Sequence, residues 1–185
     1  MPVAHAAALA ALPDTAAVRI IAADPAFVAD APDWQKLATG MDKLFAQFQR
    51  EDRVETWAIS LDAGGAVVVL AWTGAGGPAA GPLSGCSHDR IAKLLLVHQE
   101  QGQRRLLDAP PFVIVSADGR ARACDRAELR RLFSNGQVST ATPHYDLGIT
   151  DLATWRRGPR GLGDGPFAAT LARWAAADQA PARAP

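Results

Sequence analysis

The run Val67-Val68-Val69-Leu70-Ala71-Trp72 contains no polar residue at either parity. Successive side chains of a strand face opposite ways, so a six-residue run of this kind needs apolar cover on both faces and belongs in the middle of a sheet. The rest of the chain has to supply that cover. Ahead of the run, Asp62-Ala63-Gly64-Gly65 reads as a hairpin turn, because glycine accepts the positive φ such turns demand. The preceding segment alternates Trp57, Ile59 and Leu61 with Ala58 and Ser60, which suits a strand with one covered face. An earlier β-branched run, Val18 to Ala23, is stopped by Asp24-Pro25 and predicts the first strand. Between them Trp34, Leu37, Met41, Leu44, Phe45 and Phe48 recur at intervals of three and four, predicting a helix from Asp33 to about Phe48 with one apolar face.

Residues 73 to 85 are rich in Gly, Ala and Pro and predict a loop. A second helix is expected from near Ser87 to Gly102, with Ile91, Leu94, Leu95 and His98 on one stripe. Phe112 to Val115 predicts strand four, and Asp118-Gly119 turns it into a weaker strand ending at Cys124. A third helix spans Asp125 to Ser134 and stops at Asn135-Gly136. A short helix holding Phe167, Leu171 and Trp174 is expected last, ahead of a frayed end from Ala180. The order β, α, β, β, α, β predicts an α+β protein with a ferredoxin-like (split βαβ) antiparallel sheet, helices on one face, and strands one and three as the central pair. Residues 1–160 then form a single domain and residues 161–185 a C-terminal extension.

At 185 residues with 49% hydrophobic side chains the chain can bury a core, which excludes a disordered protein. Nineteen basic residues balance nineteen acidic ones, so bulk charge favours neither nucleic acid nor a membrane surface as partner. The balance conceals a mild split, 7 basic against 11 acidic groups up to residue 100 and 12 against 8 beyond it. Two cysteines without a disulfide-like array fit a reducing cytoplasm. The start, Met1 to Leu12, is apolar without Lys or Arg, and no segment reaches the length of a membrane span, so a soluble, unexported cytoplasmic protein is expected.

Leu83-Ser84-Gly85-Cys86-Ser87-His88-Asp89 is the most distinctive stretch. With it the chain resembles a family of small bacterial proteins of unknown function marked by Ser-Gly-Cys-Ser-x-Asp at the opening of a helix. The resemblance extends to Leu12-Pro13, Val18 to Phe27, Val67 to Trp72, Phe112 to Val115, Tyr145-Asp146-Leu147 and Trp155. Members are sometimes labelled ABC transporter ATPases, since Leu-Ser-Gly-Cys-Ser looks like the signature Leu-Ser-Gly-Gly-Gln. That label fails on chemistry, because a nucleotide-binding cassette needs a phosphate loop ending in Lys and Ser or Thr, and the lysine nearest the glycine loop here is Lys93, inside a helix. The resemblance implies no catalytic residue, and His88 stands where the family more usually has an aliphatic side chain.

Two readings of the motif compete. In one, Gly85 permits a close turn, Ser87 caps the helix and Cys86 fills a small buried site. In the other, the helix start activates the Cys86 thiol, or its amides at Cys86, Ser87 and His88 receive an anionic ligand. The second gives Ser84, Gly85, Cys86, Ser87 and Asp89 as ligand-binding candidates for a small anionic ligand, with Cys86 and His88 as candidate catalytic residues. Asp89 works against a thiolate, since it competes for the same donors. His144 is an alternative base. No cofactor is expected: Gly74-Ala75-Gly76-Gly77-Pro78-Ala79 matches a dinucleotide fingerprint only formally, as Pro78 and Pro82 postpone the helix that must begin there. No metal site is expected either, because Cys86, His88, Cys124 and His144 include no Cys-x-x-Cys-like pair. The arginine pairs Arg104-Arg105, Arg130-Arg131 and Arg156-Arg157 suit either a basic patch or solvated helix ends. Lacking a convergent acid, base and nucleophile, the chain reads first as a non-enzymatic binding or regulatory module, second as a thiol enzyme or redox sensor, and third as a protein-interaction module.

Overall fold

The hairpin at residues 62–65 forms as its composition demands. In the computed structural model, which describes residues 9–76, 83–102 and 104–179, Gly64 and Gly65 take φ of +61° and +93°, and a Cβ on Gly65 would lie 1.9 Å from the Phe27 carbonyl oxygen. The turn joins β2 (Val54–Asp62) to β3 (Val67–Gly74), with Asp62 opposite Val67. β1 (Ala17–Ala22) pairs antiparallel with the other side of β3, giving a three-stranded sheet in the order β1-β3-β2. β3 is central and buried along Val67 to Trp72, as its unbroken apolar run requires.

One face of this sheet is covered by α1 (Pro32–Arg50) and α2 (Gly85–Gly102). The three-and-four spacing of Trp34, Leu37, Met41, Phe45 and Phe48 buries that stripe against Ile21, Ile59, Val68, Leu70 and Trp72. Leu37, Met41, Phe45 and Phe48 are fully buried, and each such side chain contributes roughly 1.5–3 kcal/mol.

The other face differs from expectation. β4 (Phe112–Val115) does not join β1 to complete a ferredoxin-like sheet. It sits between β5 (Ala121–Cys124) and β6 (Pro143–Tyr145) in a second antiparallel sheet ordered β5-β4-β6-β7, where β7 is Arg160–Gly161. β1 is therefore an edge strand of its sheet, not one of a central pair. The physical reason is that Phe-Val-Ile-Val specifies burial on both faces without specifying neighbours, and the hairpin to β5 together with β6 satisfies both its edges.

The two sheets face each other across a middle core of Val18, Ile20, Val67, Val69, Ala71 and Val113, closed by Leu152 and Trp155 of α4 (Leu152–Arg156). The outer face of the second sheet packs Phe112, Ile114 and Cys124 against Leu129 and Leu132 of α3 (Arg126–Ser134) and Leu171 of α5 (Ala168–Gln179). The molecule is thus α+β, stacked helix, sheet, sheet, helix. No helix among the described residues is long and apolar enough to cross a membrane. The apolar start before Leu9, residues 77–82 of the glycine loop and the end from Ala180 lie outside the described residues.

Candidate functional site

α2 begins at Gly85, two residues earlier than its apolar stripe suggests, because Ser84 supplies the cap. The Ser84 carbonyl accepts the N–H groups of Ser87 (2.9 Å) and His88 (3.1 Å), and the Ser87 N–H also lies 3.4 Å from Ser84 Oγ. Two of the three parts of the purely structural reading of the motif are thereby corrected. Ser84 rather than Ser87 caps the helix. Gly85 stands in open space, since a Cβ there would meet nothing within 4 Å. Cys86 is exposed, whereas Cys124 is the buried thiol; neither is in a disulfide. The expected anion-binding amides change as well, because those of Ser87 and His88 are engaged and those of Gly85 and Cys86 are left with no acceptor among the described residues.

What the sequence reading missed is Arg53. It stands in the charged break between α1 and β2, and folding carries it to the helix start. Its Nη1 donates to Ser84 Oγ at 2.8 Å and Ser87 Oγ at 3.2 Å, and the two hydroxyls are 3.1 Å apart. Ser87 is 1% exposed, so its hydroxyl needs that partner. Arg53 Nε pairs with Glu51 at 3.0 Å, and Arg90 of α2 donates to both oxygens of the same carboxylate at 3.0 Å while lying 4.7 Å over the Phe48 ring. The Arg90 hydrogen bonds, aided by the charge of Arg53, hold the Glu51 carboxyl below its ordinary range. Two guanidinium groups against one carboxylate leave net positive charge beside a helix N-terminus that is itself electropositive. No local pattern in residues 50–53 signals this; the contacts span 31 and 34 residues.

The motif is divided between two faces of α2. Ser84 and Ser87 turn toward Arg53, Asp89 is exposed, and the His88 ring packs edge-on to Trp72 with centroids 6.3 Å apart. A helix sets residues two apart on opposite sides, which separates Cys86 from His88. His144, the alternative base, is buried in the second sheet, where its Nδ1 lies 2.8 Å from the Arg160 carbonyl. Beside His88 a cavity of about 390 Å³ opens between Trp72, the edge of β1 and the loop at residues 147–150.

The remaining candidates resolve into structural roles. Each arginine pair meets acids: Arg104 and Arg105 bond Asp33 and Asp24, Arg130 and Arg131 pair with Asp178 and Glu128, and Arg156 pairs with Asp14. Trp155 is buried against Tyr145, and Asp146 caps a turn through the Gly148 N–H at 2.9 Å. Among the described residues, no group of three or more His, Cys, Asp or Glu side chains is arranged to hold a metal. Comparison with known proteins supplies no relative: no family model matches the chain, and neither a curated protein nor a solved structure does.

Proposed function

We propose that the protein is a non-enzymatic binding or regulatory module of the bacterial cytoplasm, and that it receives a small anionic ligand at the Ser84–Asp89 helix start. The observation that carries this reading is the Arg53 guanidinium anchored on Ser84 and Ser87, beside the amides of Gly85 and Cys86, which find no acceptor among the described residues. A helix N-terminus with its dipole and a fixed cation are the elements from which protein anion sites are built. The resemblance to bacterial proteins sharing Ser-Gly-Cys-Ser-x-Asp belongs to the same proposal. Thermal unfolding in the presence of phosphate, sulfate, nucleotides and small carboxylates tests it. At least one anion is expected to raise the midpoint in the parent protein and not in Arg53→Gln. Identical responses of the two proteins to every anion would reject the site.

A second reading is favoured by the exposure of Cys86: a thiol enzyme or redox sensor that uses this accessible side chain. Iodoacetamide labelling measured against pH separates the two. A labelling rate already at its plateau near pH 7 supports thiol chemistry, and a rate that keeps rising through pH 9 returns Cys86 to a bystander of the anion site.

A further inference from the structure

Arg19 is the anomaly among the cations. It projects from β1 on the side shared with Ala17 and Ile21, toward α2. It is partly buried, yet no carboxylate, hydroxyl, carbonyl or aromatic ring among the described residues is its partner. In two other clefts among the described residues the arginine is already held, Arg104 by Asp33 and Arg156 by Asp14 and the carbonyls of Leu9, Ala10 and Leu12. Burial pulls the Arg19 guanidinium below its ordinary value, and no neighbouring acid opposes that. A guanidinium that has lost part of its water without gaining an anion is poised for one from outside.

Arg19 lines the 390 Å³ cavity next to His88, whose other walls are Ile20, Trp72 and the apolar residues Leu147 and Ile149. β1 adds a polar handle. Val18 donates its N–H outward to the Thr150 carbonyl at 2.9 Å, so the two-residue period turns the Ile20 N–H to the same edge, where no described residue accepts it. One cation, one free amide and a largely apolar wall in a cavity of this size match the make-up of small-molecule sites.

We propose that this cavity binds a small organic monocarboxylate, its carboxylate on the Arg19 guanidinium and the Ile20 amide, its hydrocarbon or aromatic body against Trp72 and the 147–150 loop. The ligand carries one negative charge because the site offers one unpaired cation. The planar fork of arginine selects a carboxylate over a rounder anion. The site shares only His88 with the Ser-Gly-Cys-Ser stretch, and it stands whether or not the Arg53 site binds anything.

Phenylacetate, 4-phenylbutyrate and octanoate, each beside its uncharged primary amide, are titrated into the ¹⁵N-labelled full chain. At least one acid is expected to bind with shifts at the Trp72 indole N–H and the Ile20 amide, and at least tenfold more tightly than its amide. Arg19→Met keeps the stem that packs on the wall and removes the charge, so it should fold and reduce acid affinity at least tenfold to the level of the amide. Arg53→Gln should leave that affinity unchanged. The proposal is overturned if none of the acids binds at millimolar concentration, if acid and amide bind alike, if Arg19→Met binds as the parent does, or if the loss follows Arg53→Gln instead.

Discussion

Gly65 has the tightest steric requirement of any described glycine. Its φ of +93° is one that side chains with a Cβ rarely adopt, and the added atom would collide with the Phe27 backbone. Gly65→Ala is expected to cost upward of about 3 kcal/mol in urea unfolding, whereas Gly85→Ala, in open space, should change stability little. The need for glycine in the hairpin was legible from Asp62-Ala63-Gly64-Gly65; the collision with Phe27, a residue far back in the chain, was not. The two thiols make the opposite lesson. Burial, with the nearby Glu128 charge, pushes the Cys124 thiol up to about 12, while Cys86 is exposed. A chromogenic disulfide reagent at neutral pH should therefore titrate one thiol in the native protein and two in urea. Sequence favours a buried Cys86, because free cysteine is usually buried, and the exposure of Cys86 on the first turn of α2 overturns that.

At the scale of elements, helices were readable where their stripes and caps coincide. Asp125 caps α3 through the Glu128 N–H at 2.7 Å, as the reading from Asp125 to Ser134 anticipates. α2 was read two residues short because its stripe starts at Ile91 and its cap, Ser84, sits in what looks like loop. Ser84→Ala removes both the cap and one of the Arg53 anchors, and should destabilise by about 1–2 kcal/mol, at the upper end of single-cap losses. Its partner Ser87 keeps Arg53, so Arg53→Gln in the Ser84→Ala background should cost less than in the parent, a coupling that a double-mutant cycle measures. The strands teach a different limit. β1, β3 and β4 all read as buried, and they are; which of them share a sheet depends on edges and partners, to which an unbroken apolar run is blind.

On the scale of the molecule, two histidines tie stability to pH. Burial holds His144 below its ordinary value of 6.5 despite the Arg160 carbonyl, and burial with the charge of Lys36 does the same to His98. A depressed folded pKa means that protons bind the unfolded chain first. The contribution is intact above about pH 6.5 and is lost as pH falls toward the folded values. His144→Gln should flatten the fall in urea midpoint between pH 7 and pH 5, the slope per proton being about 1.4 kcal/mol per pH unit in full effect. The absolute stability of that variant drops too, since the ring is packed 2.8 Å from where a Cβ of Gly165 would stand; the slope carries the test. The layering explains why the α+β class was legible and the arrangement was not: composition counts buried strands, but whether a helix or a second sheet covers them is settled by chain segments far apart in the sequence, such as Val113 against Val67, Val69 and Ala71.

Among the described residues, most of the cover on the inner face of β1 and β3 comes from the chain between Val113 and Trp155. During synthesis the first sheet and both its helices emerge from the ribosome with Val18, Ile20, Val67, Val69 and Ala71 still largely bare, and they stay so until about fifty further residues have been translated. For that interval the nascent polypeptide presents a flat, sticky aliphatic surface. Chaperone dependence, and precipitation of any product truncated near residue 105, are its natural outcome in a cell.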